Sequence, residues 1–191
     1  MKKGKIVLIY SLVLIGALLS CEKEDLSGDP TTILSVGQTH QGGIIAYILQ
    51  EGDSGYDLNV QHGLVAAPYD QSTGISWDNG SNIITGANGI SIGTGVTNTN
   101  TIVSLKGEGN YAAKLCYDLT LEGYSGWFLP SIDELNLLYQ NRNVIGGFEP
   151  VPYWSSTESI YNFALHECFG AGYQSNTNMS NFYHVRAVHS F

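Results

Sequence analysis

Asp133 and Glu134 are the first residues in this chain whose types suggest chemistry. They sit side by side in GWFLPSIDELNLLY, residues 126–139, behind an aromatic pair and a proline. Two carboxylates serve as general acid and base when both face one cleft. Neighbours on a helix point about 100° apart, so this pair does not converge. Both acids have structural tasks instead. Ser131 and Glu134 fit the capping box S-x-x-E, in which each side chain satisfies the other's backbone N–H. Negative charge in the first turn complements the helix dipole. Leu135, Leu138 and Tyr139 supply an apolar face at i, i+3 and i+4. The segment predicts a capped helix rather than a catalytic pair.

Gly89-Ile90-Ser91-Ile92-Gly93 is a literal G-x-S-x-G. A nucleophile elbow needs a strand before the serine and a helix directly after it. Thr94-Gly95-Val96-Thr97-Asn98 is a poor helix start, and 23 glycines make chance matches common. The five histidines (His40, His62, His166, His184, His189) show no H-x-x-x-H spacing, and there is no C-x-x-C. Asp70, Asp78, Asn79 and Asn82 offer oxygen ligands in loop sequence, but without EF-hand spacing. No cofactor is expected from a motif, and calcium is left open. Trp77-Asp78-Asn79 puts an aromatic, an acid and an amide beside an Asn-Gly turn. With Tyr153, these three are the expected ligand-binding residues. Aromatic faces stack on sugar rings, while amides and carboxylates hydrogen-bond hydroxyls. No catalytic residue is assigned, and no enzymatic activity is expected.

The elements that must position these residues are short. GGIIAYILQEG and HGLVAAPYD read as strands, followed by a turn at Asn79-Gly80. Residues 80–100 read as a long irregular loop. Helical character is expected from near Thr101, with Tyr111, Ala112, Leu115, Cys116 and Leu119 on one apolar face. FALHECFGAGY and FYHVRAVHSF both look strand-like, and the last is expected to pair inside the sheet, beside the first strand. Strands at both ends with helices grouped between them indicate an α+β domain.

The N-terminus carries Lys2, Lys3 and Lys5 ahead of the apolar run Ile6–Leu19. That run is shorter than the roughly 20 residues needed to span a bilayer, so it reads as an export signal. Leu18-Leu19-Ser20-Cys21 resembles the lipobox of bacterial lipoproteins, which implies a signal peptide over 1–20 and lipidation of Cys21. The acidic stretch after it reads as a flexible tether over 21–35. The mature chain keeps Lys23, Lys106, Lys114, Arg142 and Arg186 against all seventeen acids, a formal net charge of −12. Such a surface repels phosphate backbones, so no nucleic-acid partner is expected. Cys116 and Cys168 remain as an even pair, either bridged in an oxidising compartment or left as two buried thiols.

Three motifs in one order carry a family resemblance. They are Gly126-Trp127-Phe128-Leu129-Pro130-Ser131 running into Glu134-Leu135, then Tyr153-Trp154-Ser155-Ser156-Thr157, and Val185-Arg186-Ala187-Val188 near the end. Together they resemble the Lcl C-terminal domain, the terminal module of a bacterial collagen-like adhesin, over residues 36–191. The resemblance implies a C-type-lectin-like α+β fold with a mainly antiparallel sheet, two or three central helices and long loops. It is more distantly similar to formylglycine-generating enzymes. That chemistry needs reactive cysteines in a cleft, whereas Cys116 falls on an apolar helix face and Cys168 in a strand. The family's association is with surface attachment and glycan binding. Its motif residues Trp127, Leu129, Pro130, Trp154 and Arg186 are expected in the framework. The expected function is an exported, lipid-anchored adhesion module at the outer membrane and cell surface, binding a glycan or host-matrix ligand. The alternative is a structural component that binds a surface protein.

Overall fold

The computed structural model describes residues 33–81 and 83–191. The expected signal peptide, most of the expected tether, Cys21 and Asn82 lie outside the described residues. From Ile33 to Phe191 the chain forms one compact unit. Among the described residues, no helix is long and apolar enough to cross a membrane.

Among the described residues, nine strands and four helices form an α+β arrangement with these four helices between the fourth and fifth strands. One sheet holds β1 (Thr39–His40), β2 (Gly43–Ile48), β3 (Gly63–Ala66) and the C-terminal β9 (Val188–Ser190), in that order and antiparallel throughout. The second sheet has the order β4 (Ser72–Ile75), β8 (Tyr183–Val185), β5 (Pro152–Glu158), β6 (Phe163–Cys168) and β7 (Tyr173–Asn178). Its β5–β8 pair is parallel, so this sheet is mixed. The C-terminal strand, expected from sequence beside the first long strand, β2, lies instead beside β3, which separates the two. FYHVRAVHSF is not one strand. Arg186 and Ala187 separate β8 from β9, and the two halves serve different sheets.

The helices differ from expectation at one end. Helix α1 spans Gly95–Lys106, beginning six residues before Thr101. It stops at Gly107, whose φ of 68° suits a residue without Cβ. The poor local propensity of Gly95 and Val96 is overridden by packing. A Cβ on Gly95 would collide with the Glu134 carboxylate, so glycine alone lets the helix start approach that group. Helix α2 (Ala112–Tyr117) buries Ala112, Ala113 and Cys116. In α3 (Ile132–Gln140) the capping box is present in both directions, and Leu135 and Leu138 are fully buried. A short α4 (Arg142–Ile145) follows.

Three buried polar side chains hold the long loop before α1. Glu134 accepts the amides of Gly93 (2.8 Å) and Ser131 (2.7 Å). Asn98 brackets Gly89, accepting its N–H and donating to its carbonyl. Glu158 accepts from the Thr85 amide, the Thr85 hydroxyl and the Gly86 amide. Burial pushes the Glu134 carboxyl above its ordinary pKa, while its amide donors pull the other way. The Glu134 carboxylate, together with the Asp133 backbone amide that donates to the Ile90 carbonyl at 3.1 Å, thus fixes where the loop joins the helices.

Candidate functional site

Trp77 is fully buried. Its indole N–H donates to the Ser155 carbonyl at 2.8 Å, and its backbone N–H to Met179. The expected stacking face is therefore closed within the core. Tyr153 is also fully buried, with its hydroxyl donating to Asp70 at 2.8 Å. Neither ring offers a surface to a ligand, because Trp77, in the bend after β4, and Tyr153, in β5, are both packed into the core. Trp77 does place its neighbours. Asp78 is 8% exposed and pairs with Lys106 at 3.5 Å, while Asn79 is exposed.

Asp78 and Asn79 open into a cleft of about 550 Å³ shared with Ser76, Gly80, Glu108, Gly109, Asn110, Ser180 and Phe182. Phe182, on the turn before β8, is 72% exposed and supplies the aromatic face that Trp77 does not. The Asn79 amide donates to the Lys106 carbonyl at 2.8 Å and accepts from Ser81. That orients the amide at the rim and leaves it one N–H. Asn110 and Ser180 are exposed, and the Glu108 side chain is 95% exposed. The cleft therefore combines one open aromatic, two amides, a hydroxyl and an exposed carboxylate, Glu108, that pairs with Lys114 at 3.5 Å. Its parts come from three separate stretches, 76–80, 108–110 and 180–182, which hid Phe182, Glu108, Asn110 and Ser180 from a reading by motif.

Tyr153 belongs to a second polar centre. Asp70 accepts from Tyr153 and Arg186 Nε (2.7 Å) and contacts His184 Nδ1 at 2.8 Å. Arg186 also donates to the carbonyls of Ala67, Gly146 and Gly147 and lies over the Phe148 ring at 4.1 Å. Arg186 is fully buried, and each donor has a partner, so this centre ties the two halves of the C-terminal segment to the β3–β4 connection. Trp127, Leu129, Pro130 and Trp154 are buried as well, as expected for framework residues.

The remaining chemical candidates do not assemble. Ser91 lies in loop without a strand before it, and its carbonyl, not its hydroxyl, is engaged by Ser131 and Thr94. Cys116 and Cys168 are both free, so the disulfide is not formed. Cys116 is sealed in the core, where burial pushes its thiol far up, while Cys168 is half-buried at the end of β6. Among the described residues, no three His, Cys, Asp or Glu side chains gather as a metal site.

No curated protein matches the chain. The Lcl C-terminal domain matches residues 67–189, which run from the end of β3 into β9 and cover well over half of the sequence. All three sequence motifs, the Asp70–Arg186 centre and the Phe182 cleft fall inside that span. The chain belongs to the Lcl C-terminal domain family.

Proposed function

We propose that this protein is an exported recognition module, lipid-anchored through Cys21 at the outer membrane and facing the cell surface, that binds carbohydrate in the Phe182 cleft. One observation carries the reading: an exposed aromatic stands over amides and a carboxylate in a cleft of about 550 Å³. Pockets that fix small ligands combine such apolar faces with a few oriented polar groups. The N-terminal lysines, the short apolar run and Cys21 support export and lipidation. Family membership supports surface attachment, and the pairing of β9 with β3 within the N-terminal sheet suits a C-type-lectin-like fold. The reading is of a binder and not an enzyme, supported by the buried state of Cys116 and the loop setting of Ser91. Glycan-array binding by wild type and Phe182→Ala tests it. Binding that disappears in the variant, with thermal stability kept, is expected. Silence of the wild type across the array would contradict it.

A protein partner is the second reading, and β7 favours it. This edge strand, YQSNTN, is almost wholly exposed and has no charge or proline to discourage strand addition. Pull-down from outer membrane, compared with the array, separates the two.

A further inference from the structure

The charged residues around the Phe182 cleft are unevenly committed. Two lysines lie nearby, and neither is available to a ligand. Lys106 has a fully buried side chain, pairs with Asp78, donates to the Ile83 carbonyl at 3.0 Å and sits 5.6 Å from the Trp77 ring centroid. Lys114 has a side chain only 12% exposed, held by Asp118 at 2.5 and 2.7 Å and by Glu108 at 3.5 Å. The acids are placed the other way. Glu108 keeps a side chain 95% exposed while it shares Lys114 with Asp118, and Asp78 lines the cleft while it pairs with Lys106, so three acids stand against two committed lysines.

We propose that the cleft selects glycans lacking sulfate and carboxylate groups; this rests on reading it as the carbohydrate site. An anionic substituent would meet Asp78 and Glu108 with no uncommitted cation to receive it, and like charges brought together at an interface select against binding. Uncharged hydroxyls lose nothing there. Glu108 accepts from them, the spare N–H of Asn79 donates, and Phe182 takes the ring face. Phosphate and sulfate recognition rely on exposed Arg or Lys forks, and the cleft presents neither.

Isothermal titration of the full mature protein with matched oligosaccharide pairs, neutral and sulfated on the same backbone, tests this at two salt concentrations. The neutral member is expected to bind at least about tenfold tighter than the sulfated one. Its affinity is expected to be nearly independent of salt, since no ion pair forms to be screened. Glu108→Lys is expected to narrow or reverse the preference, while Glu108→Gln narrows it less; both changes sit on an exposed side chain that the fold does not need. A sulfated member that binds the wild type more tightly, with that binding lost in Phe182→Ala, overturns the inference and leaves the site standing. Silence toward both members of every pair overturns the inference together with the carbohydrate reading.

Discussion

Replacing Phe182 with alanine removes an aromatic face that is 72% exposed, so the core is not opened. Binding should fall by at least about tenfold, in keeping with base- and sugar-like stacking worth ~1–3 kcal/mol per ring, while urea unfolding stays within ~0.5 kcal/mol of wild type. Trp77→Ala behaves oppositely. Emptying a fully buried indole site should cost about 3–5 kcal/mol in urea unfolding, and any loss of binding then follows from loss of fold. His166 gives a pH signature. It is 5% exposed, its Nδ1 has no hydrogen-bond partner, and burial holds its pKa below the ordinary value. The unfolded chain takes up a proton below about pH 6.5 that the folded chain resists, so stability falls as pH drops through that region. His166→Phe should flatten this part of the profile. Burial raises Glu134 and Glu167, which gives their contributions the opposite sign, so the histidine effect is read as the difference between wild type and variant. At this scale the capping box and the framework role of Arg186 were legible, because each rests on local pattern or a motif. Phe182 was not, since it acquires its role from residues about a hundred positions away.

Among the elements, the loop before α1 depends on Glu158 as much as on its own sequence. Glu158→Ala leaves the Thr85 and Gly86 amides without their acceptor, at about 1–3 kcal/mol for the buried Thr85 amide, while the exposed Gly86 can turn to water. Hydrogen exchange should speed up at these two amides while β6 keeps its protection. Unchanged exchange there would show that the loop holds itself. The start of α1 escaped a reading by propensity because Gly95 and Val96 are weak formers, and Glu134, some forty residues on, supplies what they lack. Strand β7 escaped for a similar reason. YQSNTN has turn-like composition, yet six consecutive residues pair with β6. Non-local pairing, not side-chain type, makes it a strand. The disulfide was left open by cysteine arithmetic and is decided by placement, since Cys116 points into the core from α2. Both thiols should titrate in denaturant without reductant, whereas in the native protein Cys116 should stay unreactive.

On the scale of the whole molecule, the α+β class was readable from strands at both ends and helices between them. The division into two sheets was not, because it hangs on the break at Arg186-Ala187 inside an apparently continuous strand. Arg186 donates there to three carbonyls on two segments, at Ala67 and at Gly146-Gly147, and pairs with Asp70, so Arg186→Met should unfold the domain more readily than any surface change, by about 3–5 kcal/mol for a buried pair left with one partner. The chain's remaining cations are few, and those near the Phe182 cleft are paired internally, so the surface meets its surroundings as an acidic one, with the Phe182 cleft among its recesses. That cleft is the centre of the functional account. Amide and aromatic NMR shifts of the 15N-labelled protein, titrated with a neutral oligosaccharide, test it most directly. The account predicts saturable shifts at Asn79, Asn110, Ser180 and the Phe182 ring, with the Asp70–Arg186 centre unmoved. Saturable shifts confined to another face, or none with any oligosaccharide, would contradict it.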